Sequence, residues 1–274
     1  MRLLSWNLFH GRDAPPNRAL RTRRSLFLRT TERDATHMQV NRSLFGEFAL
    51  VLGRIEWDVA LLQEAPPHWL APLGRSLRAH GALALTARNS PPAPRRLAAR
   101  LNPDLVGSWE GGSNQLLVRP PWRIAEVRRL TLARRPERRR LLWTRLEGPR
   151  AGALCVGNVH LSAGRPAAAA HEAAVAAARA IEWSGAESLA FGGDLNLAPR
   201  SSPTIFAELE KRFALAPPTA PDAIDHILVH GLELIEAPRR LAAQERDVPA
   251  KEGLALRLSD HAPVVGSWAA GLPQ

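Results

Sequence analysis

The sequence predicts one layered domain of two packed β-sheets, with helices joining the strands. Three observations predict it. About ten short apolar runs are spread over the whole chain. Longer stretches between them carry apolar residues at helical spacing. The 274 residues, 45% of them hydrophobic, suffice for one substantial core and exclude a disordered chain.

Strands are expected at Arg2–Leu8, Asp58–Gln63, Ala82–Thr86, Gln115–Arg119, Ile124–Leu130, Leu141–Leu146, Ala153–Leu161, Ser188–Gly192, Ala223–Val229 and Pro263–Trp268. So many strands over this length argue for two sheets packed face to face. Between them, Ser43–Trp57 places Leu44, Phe45, Phe48, Leu52 and Ile55 on one helical face. Pro66–His80 reads as a second helix with two prolines in its first turn. The alanine-rich run Pro166–Ser184 reads as a third, stopped by Gly185. Ser202 then Pro203 reads as an N-cap and first-turn proline, opening a helix to about Phe213. Gly11–Asn41 and Asn89–Arg100 stand outside this framework, and both are rich in arginine. They are expected to be surface loops facing the substrate.

The formal net charge is +11 with a pI near 11.4, which fits a polyanionic partner. Only Lys211 and Lys251 are lysines, so a GC-rich coding bias accounts for part of that charge. No apolar run is long enough to span a bilayer. The first strand begins close to Met1 and leaves no room for a secretory leader. Cys155 lies in an apolar strand pattern as a single, buried thiol. A cytoplasmic monomer is the expectation.

Polar side chains fall where the apolar runs end. Asn7 closes the first run, Gln63-Glu64 the second, and Asn158 and His160 lie at the end of a third. Asp194 and Asn196 follow Gly192-Gly193, Asp225-His226 opens a run, and Asp260-His261 precedes the last. Such strand ends can meet at one rim of a sandwich. Glu64, Asp194 and Asp260 are hard oxygen donors of the kind Mg²⁺ or Mn²⁺ prefers. Asn7 and Asn196 can orient a water or donate to phosphate. Asp225 could hold His261 in one tautomer as a general base.

In that order, Ser5-Trp6-Asn7, Leu62-Gln63-Glu64, Asn158-Val159-His160-Leu161, Gly193-Asp194-Leu195-Asn196, Ile224-Asp225-His226 and Leu258-Ser259-Asp260-His261-Ala262-Pro263 resemble the endonuclease/exonuclease/phosphatase family. The resemblance spans Met1 to about Trp268. It implies an α/β (α+β) four-layer α/β/β/α sandwich of mainly antiparallel sheets, forming a single domain over residues 1–274, with the site at one end. It also implies Mg²⁺ or Mn²⁺ dependence and cleavage of a phosphoester by an activated water. Carried over, Glu64, Asn7 and Asp260 would hold metal. His160, Asp194, Asn196, Asp225 and His261 would be catalytic, with Asp194 and His261 both open as the proton acceptor. His160 and Asn196, and more weakly Asn114, would contact phosphate.

The histidine at position 160 distinguishes the chain from exonuclease III-like abasic-site enzymes, which generally lack it. The pancreatic deoxyribonuclease, sphingomyelinase and inositol-polyphosphate phosphatase branches generally carry it. Charge favours a nuclease acting on DNA or RNA through the basic loops. The alternative is a phosphatase or phosphodiesterase on a phospholipid headgroup or small phosphorylated metabolite. Trp109 and Trp122 are candidate base-stacking residues, and Leu26-Phe27-Leu28 is a candidate membrane-facing tip. A non-catalytic binding module would want a missing ligand, and every expected position is filled.

Overall fold

The computed structural model describes residues 1–86, 92–148 and 152–270. The strands are β1 (Arg2–Asn7), β2 (Glu32–Arg33), β3 (Met38–Gln39), β4 (Val59–Ala65), β5 (His80–Leu85), β6 (Ser113–Val118), β7 (Arg123–Ala133), β8 (Arg139–Glu147), β9 (Ala153–His160), β10 (Leu189–Asp194), β11 (Asp225–His230), β12 (Leu232–Arg240), β13 (Asp247–Pro249), β14 (Ala255–Arg257) and β15 (Val264–Ala270). The helices are α1 (Arg23–Leu28), α2 (Phe45–Arg54), α3 (Leu70–Leu77), α4 (Pro92–Leu101), α5 (Pro103–Glu110), α6 (Pro166–Ser184), α7 (Pro203–Phe213) and α8 (Ala243–Arg246).

One sheet has the order β12-β15-β1-β4-β6-β5 and the other β11-β10-β9-β8-β7. Only β1 with β4 and β9 with β10 pair in parallel; the other pairs in these two sheets are antiparallel. Strand alternation sorts the side chains into layers. Leu3, Val59 and Leu61 face Leu154, Val156 and Ile227 between the sheets. Leu4, Trp6 and Leu62 turn the other way onto Phe48, Leu52 and Leu73, from α2 and α3. Val159 and Phe191 turn onto Ala173, Ala177 and Leu209, from α6 and α7. Three apolar layers between four structural ones give the expected α/β/β/α sandwich.

A buried amide layer ties the sheets together near the site end. Gln63 Nε2 donates to Asn158 Oδ1 (2.8 Å), and Asn158 Nδ2 donates to the carbonyls of Gln115 (2.8 Å) and Leu62 (3.1 Å). Gly193, at φ +125°, sits against this layer. A Cβ there would collide with the Val159 carbonyl and press on Asn158 Oδ1 and Gln63 Nε2. Only glycine accepts both the backbone angle and the contact.

Two expectations change. Gly11–Asn41 is no bare loop: Thr22 Oγ1 accepts from Ser25 N (3.0 Å) and starts α1, and β2 pairs with β3. Residues 92–101 of the other basic segment are helical as α4, while residues 89–91 lie outside the described ones. Ser202 takes the predicted cap position of α7 without a side-chain cap bond. The edge strand β12 and the ribbon β13–β14 went unforeseen, since neither carries a continuous apolar face. Cys155 is buried, as expected, and burial pushes its thiol up to about 12. Among the described residues no helix is long and apolar enough to cross a membrane.

Candidate active site

Strand pairing brings the polar strand ends together. Asn7 pairs with Gln63 across the parallel β1–β4 ladder, so Asn7 and Glu64 leave the first sheet at the same end. In the second sheet Asp194 pairs with His160 on one side and with Asp225 on the other. Because β9 and β10 run parallel, their C-terminal residues must share an edge. The Asp260–His261 turn closes the rim just before β15, which pairs antiparallel with β1.

Backbone strain marks the same places. Glu64 has φ +46° at a register irregularity between β4 and β6, and Asn196 has φ +52° and Ser259 φ +59°. Non-glycine residues seldom adopt this region, and they do so where the surrounding structure holds a site in place. Ser259 is held by donating from Oγ to the Asn7 carbonyl (2.6 Å). Arg246 then pins the turn through Nη1, which donates to the carbonyls of Ser259 (2.7 Å) and His261 (3.0 Å).

The side chains form one connected cluster. Asn7 Nδ2 donates to Asp194 Oδ2 (2.9 Å), and the Asn196 backbone N–H donates to Asp194 Oδ1 (3.0 Å). His160 Nε2 stands 3.5 Å from Asp194 Oδ2 and 3.7 Å from Glu64 Oε1, midway between the two carboxylates. His261 Nδ1 lies 2.8 Å from Asp225 Oδ2, and its Nε2 lies 3.8 Å from Asp194 Oδ2. Asp194, Asp225 and His261 each offer a ligand atom within 4.8 Å of the others. Asp260 is exposed at the rim, and its charge acts on Glu64 and His261. Asn196 Nδ2 is spent on the Leu161 carbonyl (3.0 Å). Asn114 sits in the amide layer, donating from Nδ2 to the Arg140 carbonyl (2.8 Å), with its buried Oδ1 unpartnered among the described residues.

Electrostatics set the protonation pattern. Burial, with the Asp225 charge beside it, raises Asp194 to about 7. Burial and Asp260 raise Glu64. Burial lowers His261, but Asp225, Asp194 and Asp260 outweigh it and lift the imidazole to about 10. His160 is within ion-pair reach of two carboxylates, yet burial and the nearby Arg139, His261 and His10 hold it well below the usual histidine range. The buried Asp194 and the half-buried Glu64 are therefore driven toward protonation by desolvation and by neighbouring carboxylates. A hard divalent cation would reverse that drive, so the donor set fits one.

Four side chains here were not foreseen. His10 is buried at φ +55° with Nε2 3.2 Å from Glu64 Oε2, and burial with Arg12 and Arg139 pushes it down to about 3. Arg12 lies against the Phe9 ring and acts on Glu64 and Asp260. Arg139 is buried and close enough to act on His10, His160 and Glu64. Arg246 is the clamp described above. His10, three residues after Asn7, carried the one legible signal. The arginines were hidden among the 37 Lys and Arg residues of the chain.

A model of the Endonuclease/Exonuclease/phosphatase family matches residues 4–261. The chain belongs to this family. Members of the endonuclease/exonuclease/phosphatase family are metal-dependent hydrolases of phosphoester bonds, nucleases and phosphatases among them. Among curated proteins no match to the sequence was found. Three solved structures show how widely the same fold is shared. The mannosyl-6-phosphatase Bt3783 of Bacteroides thetaiotaomicron aligns at TM-score 0.65 and 15% identity, over 98% of this chain and 99% of that one. The human Nocturnin catalytic domain with bound sulfate aligns at 0.60 and 16%, over 98% and 94%. Truncated Caenorhabditis elegans TDP2 aligns at 0.59 and 14%, over 98% and 97%. At such identities the likeness is one of fold.

Proposed function

We propose that this rim hydrolyses a phosphoester by attack of water on phosphorus, with Mg²⁺ or Mn²⁺ held by Glu64, Asp260 and Asn7. The observation that carries the reading is His160 Nε2 standing between Glu64 and Asp194, with the His261–Asp225 pair across Asp194. A bound divalent ion would neutralise charge on the phosphoryl oxygens.

The chain's own residues then divide the remaining work. Asp194, raised to about 7, accepts the proton of the attacking water near its own working range. Its position is held by Asn7 and by the Asn196 backbone N–H. His261, kept cationic by Asp225, donates to a phosphoryl oxygen. Neutral His160 donates to a second oxygen or to the leaving group. Asn114 and Asn196 support the phosphate end of the site, Asn196 by tying the turn after Asp194 to the Leu161 carbonyl and Asn114 through the amide layer.

For the ester itself, surface chemistry favours a phospholipid headgroup or a small phosphorylated molecule. Phe27 and Leu28 stand exposed between arginines at one corner of the molecule. Trp122, a candidate stacking residue, is packed against Gly148 and the inter-sheet core, and the Trp109 side chain lies outside the described ones. A second reading, DNA or RNA, is favoured by the net charge of +11.

The test is a panel of phospholipid vesicles, a soluble phosphodiester, phosphomonoesters, plasmid DNA and RNA, with Mg²⁺ or Mn²⁺. Chelator and Asp194→Ala serve as controls. Turnover of lipid or small esters that both controls abolish is the expected result. Nicking of DNA or RNA alone would overturn the choice of ester, and turnover insensitive to both controls would overturn the mechanism.

A further inference from the structure

One corner of the molecule combines exposed apolar side chains with a high density of arginine. α1 meets the joint between α4 and α5 there. Asn102, in that joint, donates from Nδ2 to the Leu26 carbonyl (3.0 Å). Asn41 Nδ2 donates to the carbonyls of Ser25 and Leu26 (both 3.0 Å) and to Asn102 Oδ1 (2.6 Å). The end of α4 is thus fastened beside the turn of α1 that carries Phe27 and Leu28.

Four large side chains in this corner lie open to water: Phe27 at 59%, Leu28 at 70%, Leu97 at 61% and Leu101 at 57% of full exposure. Leu97 and Leu101 are one helical turn apart and share a face of α4. Scattered single apolar residues need no explanation, but a local group of this kind marks an interaction surface. The flanking sequence is strongly basic, with Glu32, which accepts from Thr22 Oγ1 (3.0 Å) beside Arg24, as the acidic neighbour of α1. Residues 14–31 and 92–102 contain no Asp or Glu, while Arg23, Arg24 and Arg29 accompany α1 and Arg96 and Arg100 lie on α4.

The charge and the apolar groups select the occupant together. A nucleic acid would use the arginines but leave three leucines in water. A bilayer of anionic lipid accepts both, phosphates taking the guanidinium groups while the apolar side chains enter the boundary beneath the headgroups. We propose that this corner docks the protein on an anionic lipid bilayer, with Phe27, Leu28, Leu97 and Leu101 inserted and Arg23, Arg24, Arg96 and Arg100 on lipid phosphates. α5 connects the corner to the site: Arg12 Nη1 donates to the Asp104 carbonyl (3.4 Å), and Gly107 lies against His10. Docking therefore presents the site near the headgroups. The docking surface stands without the phosphoesterase reading, and only its extension to a lipid substrate rests on it.

The experiment is cosedimentation of the full chain with vesicles of phosphatidylcholine alone and of phosphatidylcholine mixed with phosphatidylglycerol. The parent is compared with a Phe27→Ser/Leu28→Ser/Leu97→Gln/Leu101→Gln variant and an Arg23→Gln/Arg24→Gln/Arg96→Gln/Arg100→Gln variant. All substituted side chains are exposed, and circular dichroism checks that each variant is folded. The parent is expected to partition onto the anionic vesicles only. Each variant is expected to lose at least about tenfold in partitioning, with turnover of a soluble phosphodiester unchanged. Absence of parent binding overturns the proposal. So does equal binding by the apolar variant, the behaviour of a surface for nucleic acid. A parent dimer that the apolar variant abolishes, seen by sedimentation velocity without lipid, also overturns it by making the corner a contact between copies. Vesicle binding without any ester turnover would leave docking standing and sink the phosphoesterase reading alone.

Discussion

At the scale of single residues, two largely buried groups outside the expected set carry testable consequences. His10 has no partner for its buried Nδ1 among the described residues, and its Nε2 faces Glu64. Groups that orient a metal-ligating carboxylate typically change affinity by roughly 10–100-fold when removed. His10→Ala should therefore raise the Mg²⁺ concentration for half-maximal thermal stabilisation by about that factor. An unchanged titration midpoint would deny His10 this positioning role.

Asp13 is the second such residue. It accepts from the Val40 backbone N–H through Oδ2 (2.9 Å), and burial raises its carboxyl from 3.8 to about 7. A raised carboxyl favours folding in its protonated form, so its contribution is intact below 3.8 and disappears as pH rises through about 7. Asparagine keeps an acceptor for Val40 and never ionises. Asp13→Asn should gain stability relative to the parent across that window and hold a constant advantage above it. Urea midpoints measured against pH decide this; parallel curves would refute it.

At the scale of elements, the site depends on two parallel strand pairs and on the close approach of the sheets at Gly193. Much of this was legible. The apolar runs of β1, β4, β9 and β10 close on Asn7, Glu64, His160 and Asp194, those of β11 and β15 open after Asp225 and the Asp260–His261 turn, and these polar residues interrupt a pattern that burial would otherwise keep apolar. Of the helices, α2 was legible from its apolar face and α6 from its alanine content and the Gly185 stop. Less visible were α1, α4 and α5: two of them begin at prolines, and arginines interrupt α1 and α4, so no long apolar stripe announces them. Gly193→Ala tests the packing directly. The variant should lose at least about 2 kcal/mol in chemical denaturation, from the positive φ and from the Val159 carbonyl. A variant as stable as the parent would mean that the β9–β10 ladder takes up the added methyl at no cost.

At the scale of the whole molecule, crowding of carboxylates at one rim links metal to stability. Asp194 and Glu64 are both raised by burial, so the folded chain carries a cost that a divalent ion relieves. Mg²⁺ at about 100 times its dissociation constant should stabilise the fold by about 2.7 kcal/mol. The gain should appear as a rise in Tm, vanish with chelator and shrink in Asp194→Ala. A Tm indifferent to Mg²⁺ and Mn²⁺ would remove the metal centre from the account.

The sequence alone determined the family and the order of its chemical groups. It could do so because strand-end residues are local signals: each sits beside an apolar run that any reader of the chain can see. Only the tertiary structure decided which groups meet and in what charge state. His160 lies between Glu64 and Asp194 because the sheets stack, and it is neutral because burial removes the water that would keep it charged. Arg139 and Arg246 join the site while Arg96 and Arg100 face outward, a division set by folding distance and invisible in a chain of many arginines. That Leu97 and Leu101 of α4 join Phe27 and Leu28 in an exposed corner was decided the same way, since leucines that face water and leucines that fill a core are alike until neighbours arrive to bury them.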